Sequence, residues 1–266
     1  MEQTSVQTKV VSDLNDAARK FSAFYPVMDN AVLRRIRGLK IAAIVREALD
    51  GKKIERILDV GCSNALVLDT VVEELDPGFA VGIDMDAAVA PVPTAKRTVV
   101  IGDAMTLPLA SMSIDVVICN HTYEHVPDPR RLFSEINRVL KADGIVYFSA
   151  MNARWPVEPH YHMPFIHWLP EKMARAILRF RGFPAGYLEK PLSTPKLVEL
   201  VSAFEIHDYT LKVITHPEKY HAQDIVRFSI FGHIYRYVAG IFYGALPGYI
   251  WILRKRPGTL THTEKL

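Results

Sequence analysis

Apolar residues recur along this chain in two rhythms, and the switching between them predicts its architecture. Leu33, Ile36, Leu39, Ile41, Ile44, Val45 and Leu49 return at roughly helical spacing, which predicts an amphipathic helix over about 30–49 closed by Asp50-Gly51. The run Ile57-Leu58-Asp59-Val60 is short, apolar and stopped by Gly61, the pattern of a buried strand feeding a helix. Helical spacing resumes from Leu66 to Leu75, Asp76-Pro77-Gly78 turns the chain, and a strand follows at 80–84. Further strands are predicted at 98–101, 114–119 and 144–150, with a helix at 130–140 before the last of them. Helices at 171–179 and 194–203, the second opened by Thr194 with Pro195 at its first position, precede strands at 205–213 and 249–254.

Strands alternating with helices imply an α/β fold, a parallel sheet covered on both faces. Residues 1–50 read as an N-terminal helical arm, 51–256 as the domain and 257–266 as a tail. Within the domain, 151–190 is a proline-broken loop rich in aromatics and histidines, and 215–247 is an insertion; both read as lid elements. Arg34, Arg35 and Arg37 read as the solvated face of the first helix and receive no role.

Composition narrows the partners. With 266 residues, 49% of them hydrophobic and 23% charged, the chain can bury one substantial core. A net charge of +3 with dispersed cations gives no reason to expect nucleic-acid binding. Cys62 and Cys119 lack CxxC spacing and read as reduced thiols, and the N-terminus lacks the charged-then-apolar pattern of a signal peptide, so a cytoplasmic protein is expected. The apolar, aromatic segment 228–256 with its basic flank reads first as a lid helix plus a strand; peripheral membrane contact is the alternative. Oligomeric state is left open.

The carboxyl ends of the first three strands carry the candidate chemistry. Gly61 permits close approach of a ligand, Asp84 lies about where doubly wound nucleotide sites hold a ribose-binding acid, and Asp103 is placed for a base's exocyclic amine. A dinucleotide fingerprint would need glycines where Ser63 and Leu66 stand, which disfavours NAD or FAD.

Together these stretches resemble the class I S-adenosylmethionine-dependent methyltransferases, in particular the branch with ubiquinone-biosynthesis-type and small-molecule or glycan enzymes. Ile57-Leu58-Asp59-Val60-Gly61-Cys62 is similar to the family's first motif, Val81-Gly82-Ile83-Asp84 to the second, and Gly102-Asp103-Ala104 with Leu107-Pro108 to the third. Ser113 to Ile118 resembles the fourth, and Val139-Leu140-Lys141-Ala142-Asp143-Gly144 the turn before the fifth strand. The family's G-x-G-x-G reads Gly61-Cys62-Ser63-Asn64-Ala65 here.

The resemblance implies a Rossmann-like, seven-stranded doubly wound sheet with an antiparallel last strand, and S-adenosylmethionine as cofactor. Asp59 and Gly61 would lie by its methionine moiety, Ser63 would belong to the same cofactor loop, Asp84 would be at the ribose, Met85 on the adenine, Asp103 and Ala104 at the adenine edge, and Asn120 or His121 under the sulfonium. His121, Glu124 and His125 match a region associated with metal in the ubiquinone branch, but a structural or substrate-facing helix start is the preferred reading and no metal is expected. His160 and His162, in the aromatic loop, are the preferred base candidates, with His125 beside them. The expected reaction is O-methylation of a small-molecule, glycan or lipid-linked acceptor; a non-catalytic S-adenosylmethionine-binding scaffold or regulatory partner is the alternative.

Overall fold

The computed structural model describes residues 31–86, 92–158, 161, 163–183, 190–223, 239–241 and 243–256. Helix α1 (Ala31–Leu49) leads into strand β1 (Arg56–Val60), α2 (Leu66–Leu75), β2 (Phe79–Asp84), β3 (Arg97–Ile101) and β4 (Ile114–Asn120). There follow α3 (Pro129–Val139), β5 (Leu140–Met151), a small pair β6 (Val157–Glu158) and β7 (Met163–Pro164), α4 (Glu171–Phe180) and α5 (Thr194–Leu200). β8 (Phe204–Asp208), α6 (Thr210–Thr215) and β9 (Gly248–Lys255) close the series.

Seven strands form one sheet in the order β3-β2-β1-β4-β5-β9-β8. The first five pair in parallel, and β9 runs antiparallel to both β5 and β8. This is the expected doubly wound, Rossmann-like sheet with its reversed last strand. The chain builds outward from β1 to β3, then crosses back to place β4 on the other side of β1. That reversal opens a crevice at the carboxyl ends of β1 and β4, where doubly wound sheets bind ligands.

β4 is buried from Ile114 to Cys119, as a strand covered on both faces must be. On one face α1 and α2 lay Ile41, Ile44, Val45, Leu68 and Val71 over Ile57, Val116, Ile118 and Tyr147. On the other, α3 and α5 lay Leu132, Phe133, Ile136 and Leu197 over Leu58, Val117 and Phe148. Polar residues of the motifs tie the layers together. Asp115 accepts the backbone N–H groups of Glu55 and Arg56 at the start of β1 and pairs with Lys141 at 2.8 Å. Asp128 caps α3 through the N–H groups of Arg130 and Arg131, with Pro129 in the first turn where its missing N–H costs nothing.

Three element predictions change. The strand expected over 205–213 ends at Asp208, whose Oδ1 accepts Thr210 N–H at 2.7 Å; Thr210, Val213 and Ile214 are then buried at helical spacing in α6. α5 stops at Leu200 rather than 203, because turns through Val201 redirect the chain so that Phe204 enters the core. β5 begins at Leu140 and its register shifts between Ile114 and Val116, absorbing the Lys141–Gly144 turn. The 151–190 loop has more order than its prolines suggest, with the β6–β7 pair and a 3-10 turn Ile166–Trp168 before α4. Residues 1–30, most of 228–243 and the 257–266 tail lie outside the described residues. Within 243–256, Leu246, Tyr249, Trp251, Ile252 and Leu253 are buried, so the strand part of the 228–256 segment belongs to the core.

Candidate active site

The loop after β1 is the floor of the crevice. Gly61 has φ +75°, and a Cβ there would meet Thr122 Cγ2 at 2.8 Å, so no side chain fits. Thr122, just past β4, donates from Oγ1 to Val60 O at 2.8 Å and locks the ends of β1 and β4 together. Ser63 and Ala65, which stand at the family's glycine positions, adopt φ +49° and +58°. The loop therefore keeps a glycine-type backbone path without the glycines, at the steric cost a Cβ carries in the left-handed region.

Asp59 and Asp84 face this loop from two strands. Asp59 is buried, and that burial together with the neighbouring Asp84 charge pushes its carboxyl up to about 7, against the opposing pull of Arg34. Asp84 ends β2; its Oδ2 accepts Ser63 N–H at 2.7 Å and its Oδ1 accepts Asp86 N–H at 2.9 Å. Both oxygens keep further lone-pair capacity. Met85 follows, half-buried. Asp103 lies beyond the end of β3, not on it, with Oδ1 accepting Met105 N–H at 2.8 Å, beside buried Ala104.

Arg34 was expected on a solvated face, and the structure corrects this. It is buried, and its Nη2 lies 3.4 Å from Ser63 Oγ, whereas Arg35 remains exposed in an ion pair with Glu73. No local pattern marks it: Gly38, whose own Cβ would meet Thr70 at 2.5 Å, lets α1 approach α2 closely and brings Arg34 to the loop.

At the end of β4 three side chains form a relay. Asn120 is the last residue of β4 and pairs with Ser149 of β5, and His121 follows with φ +55°. His121 Nδ1 lies 3.3 Å from Glu124 Oε1, and its Nε2 lies 3.1 Å from Ser149 Oγ. Burial alone would raise the Glu124 carboxyl, but the His121 bond, the charges of His121 and His125 and a backbone N–H hold it below the ordinary carboxylate range. Oε2 of Glu124 has no hydrogen-bond partner among the described residues. The order serine, histidine, carboxylate is that of a nucleophilic relay. Accessibility decides otherwise: Ser149 is 6% exposed, whereas the His121 side chain is 37% exposed. The accessible group is the imidazole, oriented by a buried carboxylate, an arrangement suited to a base rather than to a nucleophile.

The other histidines fall differently. His125 closes the 3-10 turn Tyr123–His125, half-buried, where its charge acts on Glu124. His160 and His162 lie outside the described residues. Among the described residues, no three His, Cys, Asp or Glu side chains converge as a metal would require. Sequence reasoning missed Arg34 and Ser149, and it placed His121 at the site without its Glu124 partnership.

Comparisons with known proteins identify the domain that carries these residues. Residues 58–148 match the family profile described as Methyltransferase domain, a third of the chain that holds the crevice floor, Asp84, Asp103 and the His121 relay apart from its last serine. The ubiquinone biosynthesis O-methyltransferase of Cronobacter sakazakii is 31% identical over 133 residues, covering 45% of this chain and 51% of that one. Across the first curated relatives, the chain spans between 32% and 58% of their length. The plantazolicin methyltransferase BpumL, solved with a triazolic substrate analogue and SAH, superposes with TM-score 0.58 at 13% identity, covering 96% of this chain and 100% of that one. The [4+2]-cyclase SpnF superposes with TM-score 0.51 at 18% identity, covering 83% and 82%. The structural likenesses carry the fold. The chain thus contains a class I methyltransferase domain.

Proposed function

We propose that this methyltransferase domain transfers a methyl group from S-adenosylmethionine to a hydroxyl of a small-molecule, glycan or lipid-linked acceptor, with His121 taking the hydroxyl proton. The observation that carries the reading is the convergence of the Asp59, Gly61 and Asp84 crevice with the His121–Glu124 pair at the ends of adjacent strands.

The residues present fit such a cofactor. A buried carboxyl raised to about 7 sits where a cation would complete it, and the loop at Gly61 leaves no room for a Cβ against Thr122. Asp59 and the loop N–H groups would hold the amino-acid end, with Arg34 supplying a positive charge for its carboxylate; Asp84 would accept the ribose hydroxyls. When bound, S-adenosylmethionine supplies a methyl group on a sulfonium, which is already a good leaving group. What this chain must add is position, exclusion of water and a proton acceptor. His121 Nε2 is that acceptor: an incoming hydroxyl would replace Ser149 Oγ as its donor, and Glu124 would balance the imidazolium formed. O-methylation is supported by the ubiquinone biosynthesis O-methyltransferase among the relatives.

Calorimetric titration with SAH and with NAD tests the cofactor. Micromolar SAH binding with none for NAD is expected; the reverse would sink the reading. Methyl transfer is then read with labelled S-adenosylmethionine over a panel of phenols, sugars and polyprenyl alcohols, comparing wild type with His121→Gln. SAH binding without transfer to any acceptor would favour a non-catalytic scaffold, and the cyclase on the same fold shows that the architecture alone does not require methyl transfer.

A further inference from the structure

Helix α4 is apolar on two sides. Its inner side buries Ala174 and Leu178, with Ile177, against Ile166 and Tyr161. Its outer side carries Met173, Ala176 and Phe180 at spacings of three and four residues, so they form one exposed stripe, with Met173 53% and Phe180 92% exposed. Lys172 and Arg179 are seven residues apart and lie along one edge of that stripe. An inner apolar face is what any packed helix needs; a second one, open to water, is unexplained by the fold.

The turn before the helix adds two more rings. Phe165 and Trp168 are 50% and 52% exposed, with centroids 5.0 Å apart. They are held outward by construction. Phe165 has φ +62°, uncommon for a bulky residue, and its N–H bonds to Pro156 O at 2.6 Å. Trp168 Nε1 donates to Ala153 O at 2.7 Å, so the indole's polar edge is satisfied while its body remains exposed.

Charge decides what covers this surface. Lys172, Arg175, Arg179 and Arg181 face a single carboxylate on the same stretch, Glu171, which pairs with Arg175 at 2.7 Å. Lys172, Arg179 and Arg181 have no ion-pair partner among the described residues. A second copy docking by this face would oppose like charges across a two-fold axis. Anionic lipid presents the complement: phosphates for the cations and an acyl boundary for the rings.

We propose that the Phe165–Trp168 turn and the outer side of α4 form a docking surface for an anionic lipid bilayer. Phe180, Met173, Trp168 and Phe165 enter the headgroup–acyl boundary, and Lys172, Arg179 and Arg181 lie at the phosphates. No described helix is long and apolar enough to cross a membrane, so the contact is interfacial. The surface belongs to the 151–190 loop, read from the sequence as a lid element, so a docked enzyme would draw an amphiphilic acceptor from the bilayer. That last step rests on the methyl-transfer reading; the lipid binding does not.

The test is co-sedimentation of the full chain with phosphatidylcholine vesicles, with and without one third phosphatidylglycerol, alongside SAH titration of each variant. Pelleting with the anionic vesicles and release at high salt are expected. Phe180→Ser and Trp168→Ser should each lower partitioning about tenfold, and Lys172→Glu and Arg179→Glu each about fivefold, all with unchanged SAH affinity and, for the variants other than Trp168→Ser, unchanged melting temperature. Wild-type protein left in the supernatant, equal pelleting with neutral vesicles, or variants that pellet like wild type would each overturn the proposal. Dimerisation abolished by Phe180→Ser, in protein that ignores vesicles, would assign the face to a second copy. Loss of SAH binding in the wild type would count against methyl transfer and leave the lipid result standing.

Discussion

The Arg34 guanidinium reaches from the helix before the sheet to within 3.4 Å of the Ser63 hydroxyl, in the loop that follows β1. The contact brings a buried positive charge to the floor of the crevice, beside two carboxylates, Asp59 and Asp84. Arg34 thus serves the loop's shape and its electrostatics together.

Arg34→Ala should weaken SAH binding by roughly ten- to a hundredfold, the range expected for loss of a charge-assisted hydrogen bond. Arg34→Lys should recover part of the loss, because it keeps the charge and loses the planar fork. Calorimetry measures both. Unchanged affinity in Arg34→Ala would return the residue to a packing role.

Asp59 makes stability and binding depend on pH in opposite senses. Its folded carboxyl is raised to about 7 from an ordinary value near 4, so between those values the native state holds a proton that the unfolded chain has lost. Stability contributed by this group is therefore complete at low pH and declines as pH rises toward 7, by about 1.4 kcal/mol per unit at most. Asp59→Asn should remove that decline and stabilise the protein at pH 8 by on the order of 2–4 kcal/mol in denaturant unfolding. Affinity for a cationic ligand should rise as pH climbs through 7 in the wild type and stay flat in Asp59→Asn.

Ser63 and Ala65 are predicted to respond differently to the same substitution. Both hold left-handed backbone, which costs a residue with a Cβ roughly 1–2 kcal/mol, partly offset by the greater unfolded freedom of glycine. Ser63→Gly, half-buried, should gain about 0.5–1 kcal/mol. Ala65→Gly should be close to neutral, because its fully buried methyl is worth about 0.8 kcal/mol. Thermal melts of the two variants decide this.

His121→Ala removes the hydrogen-bond partner of the buried Glu124 carboxylate and should destabilise the protein by roughly 1–3 kcal/mol. Adding Glu124→Gln should restore much of that loss, since a neutral amide at this depth needs no counter-charge. A double-mutant cycle without coupling would mean that the pair does not act as a unit. Glu124→Gln alone should lower kcat more than it raises KM, the signature of a positioning residue.

Lowering pH should expose the same pair. Glu124 is held below the ordinary carboxylate range, so its contribution is present above its unfolded value near 4 and is lost as pH falls through its lower folded value. Acid unfolding of Glu124→Gln should begin at a different pH from that of the wild type; coincident transitions would remove Glu124 from the acid limb.

The sequence alone determined the strands of the sheet and the acids at their ends. Ile57 to Val60 and Ile114 to Cys119 are short apolar runs bounded by turn residues, and such runs report burial locally, without knowledge of neighbours. Gly61, Asp84 and Asp103 were legible for the same reason, since each stands at or just beyond the end of a strand, while Asp59 was marked by the family resemblance. What only the tertiary structure decided is pairing at a distance. Arg34 meets Ser63 across 29 positions, through the close approach of α1 to α2, and His121 meets Ser149 across 28, through the β4–β5 register that sets Asn120 beside Ser149. The outward stripe of α4 was likewise hidden, because helical spacing counts apolar residues without saying which side the core will take. Periodicity encodes which residues leave water; the partners they meet depend on how the layers come together.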